Sequence, residues 1–165
     1  MLHRMITERI LLKAGFLLVT LSGLFSVSGQ SVSRLLQEAD QQFREGKTEE
    51  ARQRYEAVLA QDSSSYDALS WLGNYYYLKG KDALNNLERS YKDISEPSRM
   101  QMARHQEALK AVYTNWFAKA EACLLKALDV RKNEHIQALL DEVVSFKTRL
   151  GLVKAVDAGK RKWLR

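Results

Sequence analysis

Beyond residue 30 the apolar positions recur at three- and four-residue intervals, the period of a helix with one buried face. In LLQEADQQFREGKTEEARQRYEAVLAQD, residues 35–62, this pattern runs on both sides of Gly46 and predicts two helices joined by a turn. YDALSWLGNYYYLKG, residues 66–80, predicts a third. Its apolar residues run most of the way round, because consecutive helical side chains are rotated by roughly 100° and Tyr75, Tyr76 and Tyr77 cannot share one face. Such a helix is packed on several sides. Tyr76 and Tyr77 are expected in the core, and Tyr75 is the less constrained of the three. Residues 81–115 keep a helix-forming composition, with Leu84, Leu87 and Tyr91 on one apolar stripe and Met100, Ala103, Leu109, Val112 and Trp116 on another. Ser95-Glu96-Pro97 punctuates them, and proline suits the first turn of a helix. Two lengthened helices with the Pro97 turn at their tip are the expectation, not a loose loop. WFAKAEACLLKALDV, residues 116–130, and EHIQALLDEVVSFKTRLG, residues 134–151, predict the remaining helices.

One spacing recurs three times. Ala39 and Gly73, Phe43 and Tyr77, and Gly46 and Gly80 are each 34 residues apart, the tetratricopeptide period. Residues 35–62 resemble one complete tetratricopeptide repeat. The resemblance implies that small Ala39 lets two helices approach, Phe43 fills the space between them, Gly46 turns the chain, and Ala51 packs at the closest crossing while Tyr55 and Val58 to Leu59 face inward. Ser63 stands where the family often has proline. The second unit resembles the family at Trp71, Leu72, Gly73, Tyr76, Tyr77 and Gly80. Its second helix returns only at residues 116–130, where Ala120, Leu124 and Ala127 repeat the spacing of Ala51, Tyr55 and Val58, so about 35 residues are inserted. The implied fold is all-α, a short tetratricopeptide-like superhelix with a lengthened second hairpin. Its parts would be a repeat at 32–65, a split and extended repeat at 66–133, and a terminal helix with a basic tail at 134–165.

Proteins of this family receive an extended peptide or a helix in the groove lined by their first helices. Carried over position by position, the groove residues would be Leu36, Asp40, Phe43 and Arg44 from the first unit, and Ser70, Asn74 and Tyr77 from the second. The family's clamp for a partner's terminal carboxylate uses lysine and asparagine one turn apart in the first repeat. Leu36 and Asp40 stand there instead, which argues against that clamp, although Asn74 alone would fit it.

Residues 1–29 follow another logic. Arg4, Arg9 and Lys13 against Glu8 are followed by AGFLLVTLSGLFSV, fourteen residues without a charge, and then by small residues. This is the layout of a secretory signal peptide, with a cut before Gln30 or after Ser28. The rival reading, an uncleaved membrane anchor, falls short of the roughly 20 apolar residues a span needs. Export to the periplasm or beyond is the expectation, with residues 30–165 as the mature domain.

Composition agrees with helices. One proline and eight glycines leave little room for turn-rich β architecture, and 45% hydrophobic with 28% charged residues is a globular balance. The formal net charge is +6. Residues 1–29 hold three basic side chains against one acid, and residues 150–165 hold five against one, so the body between them is neutral. A neutral body in an exported chain argues against nucleic acid as a partner. The tail KAVDAGKRKWLR, with Trp163 and Leu164 among its cations, has the ingredients for an anionic lipid surface or an acidic partner. Its shortness favours the plainer role of a solvated end covering the last apolar face of the stack.

Catalytic chemistry finds no foothold. Beyond residue 29 the two histidines, His105 and His135, lack zinc-type spacing, and neither a glycine-rich phosphate loop nor a nucleophile elbow is present. His105 and Glu107 are two apart and point to different helix faces. Cys123 is the single cysteine, so no intramolecular disulfide forms, and its amphipathic setting suits a small packed residue. No enzyme activity, metal or cofactor is expected. The expected function is capture of a peptide or helix of a cell-envelope partner, with self-association through an unfinished apolar face as the alternative and an envelope enzyme a distant third.

Overall fold

The computed structural model describes residues 31–152, which are helical with no strand among them. The expected signal segment, residues 1–29, and the tail from residue 153 onward lie outside the described residues. The chain divides into two compact units, Met1–Ser63 and Ser64–Arg165.

The first unit is a helical hairpin, α1 over residues 31–44 and α2 over Thr48–Gln61. Gly46 makes the turn with φ +77, a left-handed conformation that glycine adopts without a Cβ penalty. Its N–H bonds the Phe43 carbonyl at 3.0 Å and the Lys47 N–H bonds the Gln42 carbonyl at 2.9 Å. These paired bonds satisfy the last carbonyls of α1 and reverse the chain. The return is antiparallel: Ser31 Oγ donates to Gln61 Oε1 at 2.6 Å at the open end, and the Tyr55 hydroxyl donates to Asp40 midway. Ala39, Ala51 and Val58 are fully buried and Tyr55 nearly so. Phe43, expected to fill the space between the helices, is 50% exposed. It lies in the last turn of α1, next to the chain reversal, and the inner space is taken by the two alanines, Tyr55 and Val58.

In the second unit α3 spans Tyr66–Lys92, α4 Arg99–Val112, α5 Ala118–Val130 and α6 Glu134–Arg149. A π-helical turn, Tyr113–Phe117, joins α4 to α5, and its junction residues keep right-handed helical angles. One helical rod therefore runs from Arg99 to Val130, antiparallel to α3. The wide turn has a packing reason. Leu109, Tyr113 and Phe117 follow one another in steps of four, which on 3.6 residues per turn would drift off the inward face. The π turn takes up the excess, and all three stay buried.

Gly80 does not end the third helix. It lies within α3, and so does Gly73 seven residues earlier. A Cβ at Gly73 would sit 2.7 Å from Leu124 Cδ2, and one at Gly80 would sit 2.9 Å from the Phe117 ring. Both glycines are therefore sites of close approach between α3 and the α4–α5 rod. Tyr75 is as buried as its neighbours, all three tyrosines being 7–8% exposed. It stacks on Trp71 at 5.4 Å and meets the edge of Tyr76 at 5.3 Å.

The hairpin end is thinner. Leu84, Leu87 and Tyr91 are half-buried, whereas Met100 and Ala103 from the expected second stripe are exposed. Their inward place is taken by His105, whose ring stacks on Tyr91 at 3.8 Å. Pro97 precedes α4 and does not enter its first turn; the cap is Ser98, whose Oγ accepts from the Gln101 N–H at 3.3 Å while Gln101 Oε1 accepts from the Ser98 N–H at 2.8 Å.

α6 is capped by Asn133 Oδ1, which accepts from the Ile136 N–H at 3.1 Å. It buries Ile136, Leu140, Val143 and Phe146, the last tilted against Phe117 at 5.0 Å. At the other end of this layer the Arg131 guanidinium lies 3.6 Å over the Tyr66 ring.

Candidate interaction surface

The residues expected in a binding groove fall into three environments. On α1, Asp40, Phe43 and Arg44 are exposed and Leu36 is half-buried. Asp40 accepts the Tyr55 hydroxyl, and Arg44 approaches Gln41 Oε1 at 3.5 Å. On α3, Asn74 is exposed and Ser70 half-buried. Tyr77 is 8% exposed and belongs to the core. One turn beyond Asn74, Leu78 is 52% exposed, so the outward face of α3 offers a polar and an apolar side chain in succession.

Tyr77 belongs to a fastening of α6. Its hydroxyl donates to Glu142, and Lys81 Nζ donates to the other oxygen of that carboxylate at 2.6 Å. A second fastening has the same composition: the Tyr113 hydroxyl donates to Glu121, and Lys147 Nζ lies 3.0 Å from both oxygens. Burial, then the hydrogen bond to the carboxylate, pushes each phenol up to about 12. Lys81, then Tyr77, holds Glu142 below the usual carboxylate range. Burial alone would pull Lys147 down, but Glu121 and Tyr113 hold it above the usual lysine value. These bonds tie α6 to α3 and to α5.

His105 Nε2 lies 3.9 Å from a Glu88 oxygen, and Nδ1 is buried without a hydrogen-bond partner. No group of three His, Cys, Asp or Glu able to hold a metal ion occurs among the described residues. Cys123 is half-buried beside the Gly73 contact.

One surface feature is absent from the sequence reading. Between α5 and α6 lies an open groove of about 810 Å³, with Leu125, Leu128 and Leu140 among its lining and Asp129, Lys132 and Glu134 at its polar margin. Leu125 is 47% exposed there. Its signal in the sequence is the excess of leucine in KAEACLLKALDV: Leu124 serves the α3 contact, and Leu125 and Leu128 point to a second apolar face.

No protein-family model and no curated protein matches the sequence. The fold is similar to a solved structure from Bacteroides ovatus ATCC 8483 named "putative protein binding protein", with a TM-score of 0.70 and 30% sequence identity. The similarity covers 72% of this chain and 58% of that one, so the chain spans a little over half of that protein's length. No helix among the described residues is long and apolar enough to cross a membrane.

Proposed function

We propose that the chain is an exported, tetratricopeptide-like protein-binding module that captures a peptide or helix of a cell-envelope partner and performs no catalysis. The observation that carries this reading is the similarity to the Bacteroides ovatus protein, whose name assigns it protein binding. Two features support it. The carboxylates that approach tyrosines are engaged in helix-to-helix bonds, Asp40 with Tyr55, Glu142 with Tyr77 and Glu121 with Lys147, and are not gathered in a pocket. On α3, exposed Asn74 and Leu78 set a polar and an apolar side chain one turn apart, the kind of pairing that peptide recognition uses. Export rests on the layout of residues 1–29.

The test is site-specific photo-crosslinking in cells expressing the full chain, with the crosslinker at Asn74 or Leu78 and, as a control, at Ser145. The reading expects one envelope protein joined from positions 74 and 78 and not from 145, in a cell fraction outside the cytoplasm. Adducts of equal pattern from all three positions, or a wholly cytoplasmic chain, would contradict it. Self-association is the second reading, favoured by Met100 and Met102 on α4, which are 63% and 44% exposed; it expects crosslinks between copies of the chain from α4 and a dimer mass by light scattering.

A further inference from the structure

Of the two described histidines, His135 is exposed and His105 is packed from α4 against α3. The His105 side chain is only 10% exposed, and its ring lies flat on Tyr91, 3.8 Å between centroids at an interplanar angle of 11°. A neutral imidazole carries one N–H and one lone pair, and its surroundings choose which nitrogen holds which. Nε2 lies 3.9 Å from a Glu88 oxygen, a negative charge that favours the proton on that nitrogen. The lone pair then belongs to Nδ1, which is buried and has no hydrogen-bond partner. A buried acceptor without a donor is costly, and this one sits in the thinly packed end of the hairpin. A metal-ligating histidine has the same arrangement, with the proton of its second nitrogen turned to a carboxylate and the lone pair of the first left for the ion.

One turn before His105 stands Met102, and residues three apart are neighbours on a helix surface. Helical side chains lean towards the N-terminus, so the imidazole leans towards the turn that carries Met102. Met102 is 44% exposed, and its unbranched side chain has the freedom to swing onto the edge of the ring. A thioether is a soft donor, which with imidazole suits copper(I) and its analogue silver(I), whereas magnesium and calcium take oxygen donors. Zinc asks for a tetrahedral set, and no three His, Cys, Asp or Glu side chains gather for it among the described residues. A monovalent d10 ion accepts a pair of donors in line. The lack of zinc-type spacing in the sequence does not bear on this pair, because that spacing takes no account of methionine. Met100, 63% exposed, lies about 140° round the helix from His105 and faces away from it.

We propose that Met102 Sδ and His105 Nδ1 form a binding site for a soft monovalent metal ion of the copper(I) class, with Glu88 setting the imidazole tautomer and Tyr91 holding the ring plane. The ion bridges two successive turns of α4 and fixes the ring that joins α4 to α3. Binding therefore stiffens residues 84–109 and leaves the base of the hairpin as it is. The site is separate from the α3 face around Asn74 and Leu78, so it does not depend on the protein-binding reading.

The experiment is a titration of the full chain with silver(I), which keeps its oxidation state, in chloride-free buffer and in a Cys123→Ser background that removes the competing thiol. NMR of labelled methionine methyls and histidine rings reads the site. The proposal expects the Met102 methyl and the His105 ring to shift together, and amides of residues 84–109 to exchange at least about tenfold more slowly with the ion bound. Met102→Leu, which keeps the size of an exposed side chain, should weaken binding read at the His105 ring by at least about tenfold, and His105→Gln should do the same read at the Met102 methyl. Glu88→Gln, also at an exposed position, should weaken it by about tenfold, and Met100→Leu should leave it unchanged. Met100 and Met102 methyls shifting alike with the His105 ring unmoved would overturn the proposal, since silver(I) would then be meeting exposed thioethers without a site. So would a His105 ring that titrates equally in Met102→Leu and in the parent chain.

Discussion

The two ends of the long helical hairpin have the same secondary structure and very different anchorage. At the base, residues 66–80 of α3 hold all eight of its buried positions, and Phe117, Leu124 and Phe146 close on them. Beyond Gly80 the same helix continues for twelve residues with none buried, and α4 contributes Leu109 alone. Backbone hydrogen bonds carry both ends equally well, so helicity says nothing about where stability resides. It resides where glycine, alanine and aromatic side chains let three helices converge, and the far end is a two-helix extension held by half-buried Leu84 and Leu87 and the histidine–tyrosine stack.

That contrast should show most strongly on removal of its central side chain. Phe117→Ala empties a site that is 2% exposed and touches Gly80, Tyr77 and Phe146. It should cost about 3–5 kcal/mol in chemical denaturation, against less than 1 for Met100→Ala at the tip.

Next in size is the glycine contact. Gly80→Ala improves helix propensity by about 1 kcal/mol, but its methyl meets the buried Phe117 ring at 2.9 Å, and overpacking of about 1–3 kcal/mol should win. Phe117→Leu in the same chain should relieve part of that loss, so the double variant should be less destabilised than the sum of the singles. Additive effects would mean the ring gives way freely.

The two fastenings of α6 predict a pH dependence. Each phenol is raised from 10.0 to about 12 in the folded chain, so its contribution is complete below pH 10 and is lost as pH rises from there through about 12. Wild type should lose about 1–2 kcal/mol per tyrosine across that window. Tyr77→Phe and Tyr113→Phe should each be about 1 kcal/mol less stable at neutral pH and should flatten that part of the profile. Glu142 acts in the opposite direction. Its folded value is lowered, so its contribution is present above the usual carboxylate range and lost as pH falls through the depressed value; with Glu142 48% exposed, solvent screening keeps it smaller than the phenol effects.

The smallest effect should come from the extension. Tyr91→Ala removes the stack on His105 and should cost about 0.5–1.5 kcal/mol, visible as faster exchange of amides in residues 84–109 more than as a lower midpoint of global unfolding.

Much of the contrast was legible in the amino-acid order. The small-and-apolar spacing picked out Ala51, Tyr55 and Val58, then Ala120, Leu124 and Ala127, all of them buried. The crowded pattern of residues 66–80 announced a helix packed on several sides. Other features depend on distances between helices, which periodicity does not encode. Gly80 shares the 34-residue spacing with the turn glycine Gly46, yet in space it is a contact, because the tertiary approach of Phe117 gives it that role. Tyr75 became core through Trp71 and Tyr76, neighbours that helical phase alone does not rank. The local signature of the π turn is the four-residue stepping from Leu109 to Phe117, which keeps one face inward only if a turn is widened. The repeat resemblance puts Phe43 inward and the apolar stripe does the same for Met100, yet each sits where its helix nears a chain reversal. Among the candidate groove residues, helical phase places Asn74 and Tyr77, three residues apart on α3, near one another; exposure separates them, Asn74 lying outside and Tyr77 in the core.

The most direct test of this division is native-state hydrogen exchange across residues 66–130, resolved by residue. Amides of 68–80 and 117–127 should exchange only through global unfolding, while those of 84–109 should open locally and exchange at least about a hundredfold faster. Equal protection along both helices would contradict the account, making the hairpin a single cooperative body whose far end is anchored as firmly as its base.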